Sequence, residues 1–155
     1  MIRQRDEDDT AALVAIQRLQ AGYADAVTRR AWDEVRALFE PDAVVHITTH
    51  TRDPFTLDGP DEVAAFVERS LEQFAFFAFT IQNAVAEVDG DEGWGRLHIC
   101  ELRRHVDGTW TQAHGLYQDR YRRRDGVWRI AGRRYSSLAR LGDGVETFPL
   151  PPIES

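Results

Sequence analysis

The sequence predicts an α+β fold in which a cone-shaped, curved antiparallel sheet (an α+β barrel) packs on three N-terminal helices. Two observations support this prediction. Helical patterns dominate the first half of the 155-residue chain, and long strand patterns separated by Asp-Gly turns fill the second half. Helices segregated from an antiparallel sheet are typical of α+β domains. One domain is expected over residues 1–140, followed by a C-terminal tail over residues 141–155.

The first two helices are predicted near the N-terminus. The first covers about residues 9–29, because its apolar side chains recur three or four residues apart and share one helix face. These side chains are Leu13, Ile16, Leu19, Tyr23 and Val27. A short second helix carries Trp32 and Phe39, and Pro41 is expected to end it because proline disrupts a helix interior.

The middle of the chain contains one strand pattern and one further helix pattern. Residues 43–49 are rich in β-branched side chains and are predicted to form a strand, whereas residues 52–58 are expected to form a loop. Pro60 marks the start of the third helix, because proline is favoured in a first helical turn. The apolar face of this helix carries Val63, Phe66, Val67, Leu71 and Phe74.

Four long strands are predicted over the rest of the domain, at residues 76–88, 94–106, 110–123 and 127–138. An Asp-Gly pair separates each strand from the next, which is a strong signal for a tight hairpin turn. Strands of this length must curl, so helices on the concave face would leave a cone closed at one end. The tail is expected to dock through Phe148, Leu150 and Ile153.

The composition excludes several classes of function. A net charge of −7 argues against nucleic acid binding, which depends mainly on neutralising phosphates. All 19 basic residues are arginine, so no lysine is available for a Schiff base or a phosphate-binding loop. Cys100 is the single cysteine, which rules out an intrachain disulfide. The five histidines lack the spacing of metal ligands, so neither a metal nor another cofactor is expected.

A cytoplasmic location without membrane association is also expected. The longest strongly apolar run, residues 74–79, has six residues, whereas a membrane-spanning helix needs about 20. The charged segment at residues 1–9 lacks the apolar core of a secretory signal.

Several stretches of sequence, together with the order of the predicted elements, resemble a known family. The stretches are residues 23–33, 38–44, 89–101, 115–121 and 124–130. They are similar to the SnoaL-like branch of the nuclear transport factor 2-like superfamily, which includes scytalone dehydratase, bile-acid dehydratase and polyketide cyclases. The resemblance implies the cone-shaped fold, a homodimer formed through the convex sheet face, and a small hydrophobic ligand that is polycyclic or polyketide-like.

The chain departs from this family at the positions that carry its acid/base chemistry. The dehydratases have an Asp five residues after the helix-1 tyrosine, where this chain has Thr28. They also have a His at the start of the strand after the third helix, where this chain has Phe79 and Thr80. In the ketosteroid isomerase-like relatives the base is a carboxylate near the position of Ile47, beside His46. None of these acid/base sets transfers to this sequence.

Five other residues are the candidates for catalysis. Glu101 lies on an apolar strand face, where a partly buried acid can exchange a proton near neutral pH. His98 is the alternative base, but side chains alternate along a strand, so only one of the two can meet the pocket. Tyr23 and Tyr117 would donate hydrogen bonds to a developing enolate, and Asp119 would orient one of them.

A structural role is equally consistent with each of these candidates. Glu101 can form a salt bridge with an arginine such as Arg103, and Tyr23 can be an ordinary core residue. The role of the predicted pocket-lining residues is open in the same way, because aromatic side chains either line a cavity or fill a core. The predicted lining residues are Trp32, Ile47, Phe66, Phe79 and Ile99.

Two classes of function remain open from the sequence. The first is a cofactor-independent lyase or isomerase that moves a proton beside a carbonyl group. The second is a non-catalytic ligand-binding or protein-interaction domain that has lost the Asp–His pair. An open cavity lined by the polar candidates favours the first class, and a cone filled with phenylalanines favours a structural role.

Overall fold

A computed structural model of the protein describes residues 7–154 and contains three helices packed on a curved, mixed sheet of seven strands. The helices are α1 (Glu7–Thr28), α2 (Trp32–Ala37) and α3 (Gly59–Leu71). The strands are β1 (Phe39–Thr48), β2 (Phe55–Asp58), β3 (Phe74–Asp89), β4 (Glu92–His105), β5 (Trp110–Arg124), β6 (Val127–Leu141) and β7 (Val145–Thr147). The predicted α+β class and its three helices are confirmed.

The sheet is open rather than a closed barrel. Its strand order is β2-β1-β6-β5-β4-β3, and β7 pairs only with β6. The four long strands β3 to β6 form the predicted antiparallel meander, and Gly90, Gly108 and Gly126 adopt the positive φ angles that its turns require. The two ends of the sheet, β2 and β3, do not meet, so the concave side remains accessible.

One strand pairing differs from the predicted antiparallel sheet. β1 runs parallel to β6, with Val45 opposite Arg133 and Ile47 opposite Tyr135. Only strands joined by a tight turn are forced to be antiparallel, and β1 and β6 are far apart in the chain. The sheet is therefore mixed.

Three local predictions are also corrected. α2 ends at Ala37, and Pro41 lies within β1 beside a register shift, where an irregular strand tolerates proline. Residues predicted as a loop contain β2, which pairs with β1. Phe74 begins β3 instead of extending α3.

The C-terminal segment is attached through one aromatic ring and through polar contacts. Phe148 stacks on His50, with 4.4 Å between the ring centroids. Gln118 Nε2 donates to the carbonyl of Pro152, 3.1 Å away. Leu150 and Ile153 are exposed, in contrast to the expectation that they dock.

The expected absence of a secretory signal and of a membrane-spanning helix concerns different parts of the chain. Within the charged segment at residues 1–9, residues 1–6 lie outside the described residues. Within residues 7–154, no helix has the length and apolar character needed to cross a membrane.

The hydrophobic core lies between α1 and the concave face of the sheet. Ile16 is fully buried on α1, and Tyr23 and Val27 continue the same stripe, as the helical spacing predicts. Gly95 on β4 allows this close packing, because a Cβ atom there would lie 3.2 Å from Gln20 Nε2 on α1 and 2.7 Å from the carbonyl oxygen of Val85 on the neighbouring strand. α3 packs on β1 and α2, which leaves space between α1, α3 and the sheet.

Candidate active site

A cavity of about 420 Å³ lies between α1, α3 and the concave face of the sheet. This volume falls in the range of roughly 300–1,000 Å³ that small-molecule sites occupy. Its deep wall is apolar and aromatic, with side chains such as Phe39, Val45, Leu57, Phe77 and Phe79. The cone is therefore not filled by its phenylalanines.

A cluster of aromatic rings forms the floor of the cavity. Tyr23 makes edge-to-face contacts with Phe39, Phe79 and Tyr117, at centroid distances of 6.0, 5.6 and 6.0 Å. Tyr117 in turn lies 5.2 Å from Tyr135. Such contacts hold each ring in one orientation.

A buried ion pair lies directly behind these rings. Arg133 Nε and Nη2 donate to the two carboxylate oxygens of Asp119, each at 2.7 Å, and both side chains are almost completely buried. The hydroxyl of Tyr121 donates to Asp119 at 3.0 Å, and Gln20 donates to that hydroxyl at 2.9 Å. A network of four side chains therefore fixes the arginine and connects α1 to β5 and β6.

Arg133 reaches the cavity between two phenol rings. Its guanidinium carbon lies 4.2 Å from the ring centre of Tyr23 and 4.0 Å from that of Tyr117. Burial by itself would lower the pKa of Arg133, but the charge and hydrogen bonds of Asp119 outweigh it and raise the pKa, so the cation persists. Its buried Nη1 has no hydrogen-bond partner among residues 7–154. The site therefore holds an unsatisfied cationic donor beside the cavity.

Glu101 brings a carboxylate to the same cavity. It pairs with Arg103 two residues later on β4, and Arg103 Nε lies 3.0 Å from Glu101 Oε2. Both side chains line the cavity and are only partly buried. The sequence had offered a salt bridge and a functional acid as alternatives, and here the salt bridge forms inside the cavity.

The tyrosines are held in their protonated form. Burial raises the pKa of Tyr23, and the opposing charge of Arg133 does not cancel this effect. Burial also raises the pKa of Tyr117 well above its ordinary value, and that of Tyr135. The charge of Glu101 contributes in the same direction at all three phenols, so Glu101 lies close enough to act on them. At neutral pH these hydroxyls are hydrogen-bond donors.

The structure brings together six of the ten predicted site residues. Those that line the cavity are Tyr23, Ile47, Phe66, Phe79, Glu101 and Tyr117. The period of two along β4 places His98 on the face opposite Glu101, away from this cavity, and buries Ile99 in the core. Trp32 lies on α2 against the core, and Asp119 lies behind Arg133 rather than beside a cavity tyrosine. The catalytic roles of these residues stay predictions.

Several polar lining residues were not predicted, among them Arg52, Arg133, Tyr135 and Arg140. The sequence did contain a signal for Arg133. Counting residues outward along both strands from the Asp-Gly turn at Gly126 places Arg133 close to Asp119 across the hairpin. The observed register pairs these two residues directly, after a bulge near Arg120. Arg52 and Arg140 belong to segments that are distant in sequence, and no local pattern connects them.

The two positions of the missing Asp–His pair are adjacent in space. The backbone N–H of Phe79 donates to Thr28 Oγ1 at 3.1 Å. A threonine–backbone contact therefore occupies the place of an acid/base pair. Within residues 7–154, no group of three or more His, Cys, Asp or Glu side chains could hold a metal ion.

Comparisons with known proteins connect this geometry to a family. The sequence profile of the SnoaL-like domain matches residues 8–134. No curated protein has a matching sequence.

Solved structures share the fold along almost the whole chain. The hexachlorocyclohexane dehydrochlorinase LinA type 2 is 22% identical with a TM-score of 0.75, and the match covers 93% of this chain and 97% of that one. LinA type 3 from Novosphingobium barchaimii is 21% identical with a TM-score of 0.72, covering 92% and 97%. A scytalone dehydratase-like protein from Novosphingobium aromaticivorans is 20% identical with a TM-score of 0.77, covering 94% and 97%. At these identities the likeness shows the fold alone.

The buried ion pair predicts a large effect of removing one charge. Asp119→Asn keeps the shape of the side chain but leaves Arg133 without a counter-charge, so we expect the free energy of unfolding to fall by about 3–5 kcal/mol. Asp91→Asn is the control, because the exposed pair of Asp91 with Arg123 should contribute about 0–1 kcal/mol. Urea denaturation measures both values. Equal losses in the two variants would contradict a structural role for the buried pair.

The raised pKa values predict an unusual alkaline titration. All four tyrosines of the chain, Tyr23, Tyr117, Tyr121 and Tyr135, have pKa values raised by burial. Native protein should therefore show little phenolate absorbance near pH 10, whereas protein unfolded in guanidinium should titrate at about pH 10. The native state then holds more protons than the unfolded state, so stability should fall as the pH rises through this region. A phenol that titrates normally in the native state would refute this prediction.

Proposed function

The chain belongs to the SnoaL-like domain family, and on that premise we propose that its cavity binds a small hydrophobic molecule and catalyses a cofactor-independent proton transfer. The proposed substrate is a polycyclic or polyketide-like ketone or alcohol, and the enzyme is a lyase or isomerase. One observation carries the proposal: an apolar cavity contains the carboxylate of Glu101 together with the phenols of Tyr23 and Tyr117. A base and hydrogen-bond donors on one cavity are the groups that enolisation requires.

Glu101 is the base in this proposal. Its carboxylate takes a proton from the carbon beside the carbonyl group, and the C–H electron pair moves into an enolate. In an isomerase, the proton returns to another carbon of the enolate. In a lyase, the enolate electrons expel a group from the neighbouring carbon, and the proton on Glu101 is then released. Both routes balance without a cofactor.

Tyr23 and Tyr117 stabilise the enolate oxygen. Their raised pKa values keep them protonated at neutral pH, so they donate rather than repel as negative charge develops. Arg133 supports both rings from behind, and its unpartnered Nη1 adds positive charge beside the developing anion. In an enclosed apolar site, such fixed donors stabilise an anion more than water does.

Arg103 positions the base. It holds the Glu101 carboxylate at the cavity wall through a hydrogen bond at 3.0 Å from its Nε. The pair remains partly exposed, so the proton that Glu101 accepts can reach solvent. Asp119 acts on the reaction only through Arg133, and it is therefore a positioning residue.

The structural relatives support the class of reaction. A dehydrochlorinase and a scytalone dehydratase-like protein share the fold, and both names describe an elimination. An elimination beside an abstracted proton fits the lyase form of this proposal.

A second candidate function is ligand binding without catalysis. Thr28 and Phe79 occupy the positions where the dehydratases carry their Asp–His pair, and the two are joined by a backbone contact. This observation favours a protein that retained the cavity and lost the reaction. The two candidates differ only in whether Glu101 transfers a proton.

We also propose that the chain forms a homodimer through the convex face of its sheet and is located in the cytoplasm. A broad sheet face that remains uncovered favours association. Size-exclusion chromatography with light scattering should give about twice the mass of 17.7 kDa at micromolar concentration. A mass of one chain under these conditions would contradict the dimer.

Removal of the proposed base tests the function. Deuterium incorporation into 2-tetralone, a bicyclic ketone, can be followed by NMR in D₂O with and without the protein. Wild type should accelerate exchange, and Glu101→Gln should reduce the acceleration by about 10²- to 10⁴-fold, because that is the contribution of a general base. Glu87→Gln, at an exposed site on β3, is the matched control and should behave as wild type.

The same experiment separates the two candidates. If 2-tetralone binds but neither wild type nor Glu101→Gln exchanges its protons faster than buffer, the proton-transfer function is wrong and ligand binding is supported. Saturation-transfer difference NMR of the ketone in the same samples reports binding.

A further inference from the structure

The charges around the cavity are opposite in sign to the charge of the whole chain. Among residues 7–154, the cavity is lined by the carboxylate of Glu101 and by four arginines, Arg52, Arg103, Arg133 and Arg140. The chain itself carries a net charge of −7. A cleft with low-dielectric walls and a local excess of positive charge attracts anions.

Two of these arginines are neutralised by the protein. Arg103 pairs with Glu101, and Arg133 pairs with the buried Asp119. Within residues 7–154, neither Arg52 nor Arg140 has a carboxylate within salt-bridge distance. These two guanidinium groups therefore supply uncompensated positive charge to the cavity.

Neutral contacts hold both of these arginines in place. The guanidinium carbon of Arg52 lies 3.7 Å from the ring centre of Phe55, which is a cation–π contact. Arg140 Nη2 donates to the carbonyl of Thr49 at 2.9 Å and lies 3.4 Å from Ser137 Oγ. These contacts fix the orientation of the two guanidinium groups without neutralising their charge.

Arg52 and Arg140 belong to the same side of the cavity. Arg140 donates a hydrogen bond to Thr49, which lies three residues before Arg52 in the connection between β1 and β2. All three residues line the cavity. Arg52 is exposed and Arg140 is half-buried, whereas the aromatic wall around Phe39 and Phe79 is buried. The cavity therefore has a cationic mouth and an apolar interior.

We propose that the ligand of this cavity is an amphipathic carboxylic acid, whose carboxylate binds Arg52 and Arg140 while its hydrophobic body occupies the aromatic interior. A carboxylate suits this mouth because guanidinium groups recognise it through paired, charge-assisted hydrogen bonds. This inference rests on the proposed function, since it assigns a substrate class to the same cavity. The carboxylate anchors the ligand at the mouth, and the reacting carbon lies deeper, beside Glu101.

The test uses a matched pair of probes that differ only in charge, 2-naphthaleneacetate and its neutral analogue 2-naphthaleneacetamide. Isothermal titration calorimetry on the full chain should give an affinity for the acid at least about tenfold higher than for the amide, since charge-assisted hydrogen bonds are roughly twice as strong as neutral ones. Raising the salt concentration should weaken binding of the acid and leave the amide unchanged.

Four variants locate the source of this preference. Arg52→Gln and Arg140→Gln should each weaken acid binding by about three- to tenfold, while amide binding stays within twofold of wild type. Arg134→Gln, on the same strand as Arg140 but outside the cavity lining, should change neither affinity. Circular dichroism verifies that each variant is folded. Arg52→Lys keeps the positive charge at this position and should retain most of the preference for the acid.

The outcomes separate this inference from the proposed function. Equal affinity for acid and amide, or no binding of either, would overturn the inference, and the 2-tetralone experiment would still decide proton transfer. A preference for the acid that is reduced in Arg52→Gln and Arg140→Gln supports the inference whether or not exchange of 2-tetralone occurs. A preference that is unchanged in both Arg52→Gln and Arg140→Gln would overturn it.

Discussion

The ion pair between Asp119 and Arg133 is the constraint on which the site depends. A charge this deeply buried must be paired, because the cost of removing it from water is otherwise several kcal/mol. The bidentate geometry and the hydrogen bond from Tyr121 satisfy the carboxylate, and Gln20 extends the network to α1. The position of the arginine then determines the orientation of the Tyr23 and Tyr117 rings on either side of it. A hydrophobic pair of similar volume would often be as stable, whereas removing one charge alone leaves the other buried and unpaired.

The two acids near the cavity differ in their ion-pair partners and in their exposure. Asp119 is held by a fully buried arginine and does not line the cavity, so it serves as a fixed counter-charge. Glu101 is paired with Arg103 at a partly exposed position, and it lines the cavity. Only the second acid can meet both a ligand and solvent, which is what proton exchange requires. The arginines of the cavity also fall into two groups. Two of them are neutralised by these acids, and the two at the mouth are not.

A structural contact joins Thr28 and Phe79, the two positions at which the family resemblance implies an acid/base pair. Threonine accepts the hydrogen bond of the Phe79 amide, and the phenylalanine ring joins the aromatic floor beside Tyr23 and Tyr117. The α1–β3 junction is therefore closed by a structural contact. The carboxylate of the site is on the neighbouring strand β4, where Glu101 lies opposite Phe79 in the strand register.

The sequence by itself determined the elements that depend on local chemistry. Helical spacing identified α1 and α3, and the Asp-Gly turns defined the meander from β3 to β6, because such turns constrain only neighbouring strands. Alternation along β4 reduced the candidates to Glu101 or His98 but could not decide which side faced the cavity. The tertiary structure made that decision, since α1 and α3 cover only one face of the sheet. It also decided the parallel pairing of β1 with β6, the partner of Arg133, and the placement of Arg52 and Arg140 in the lining of one cavity. Each of these features brings together residues that are distant in the chain. Local propensity carries no information about such pairs, because they form only when the curved sheet packs around its core.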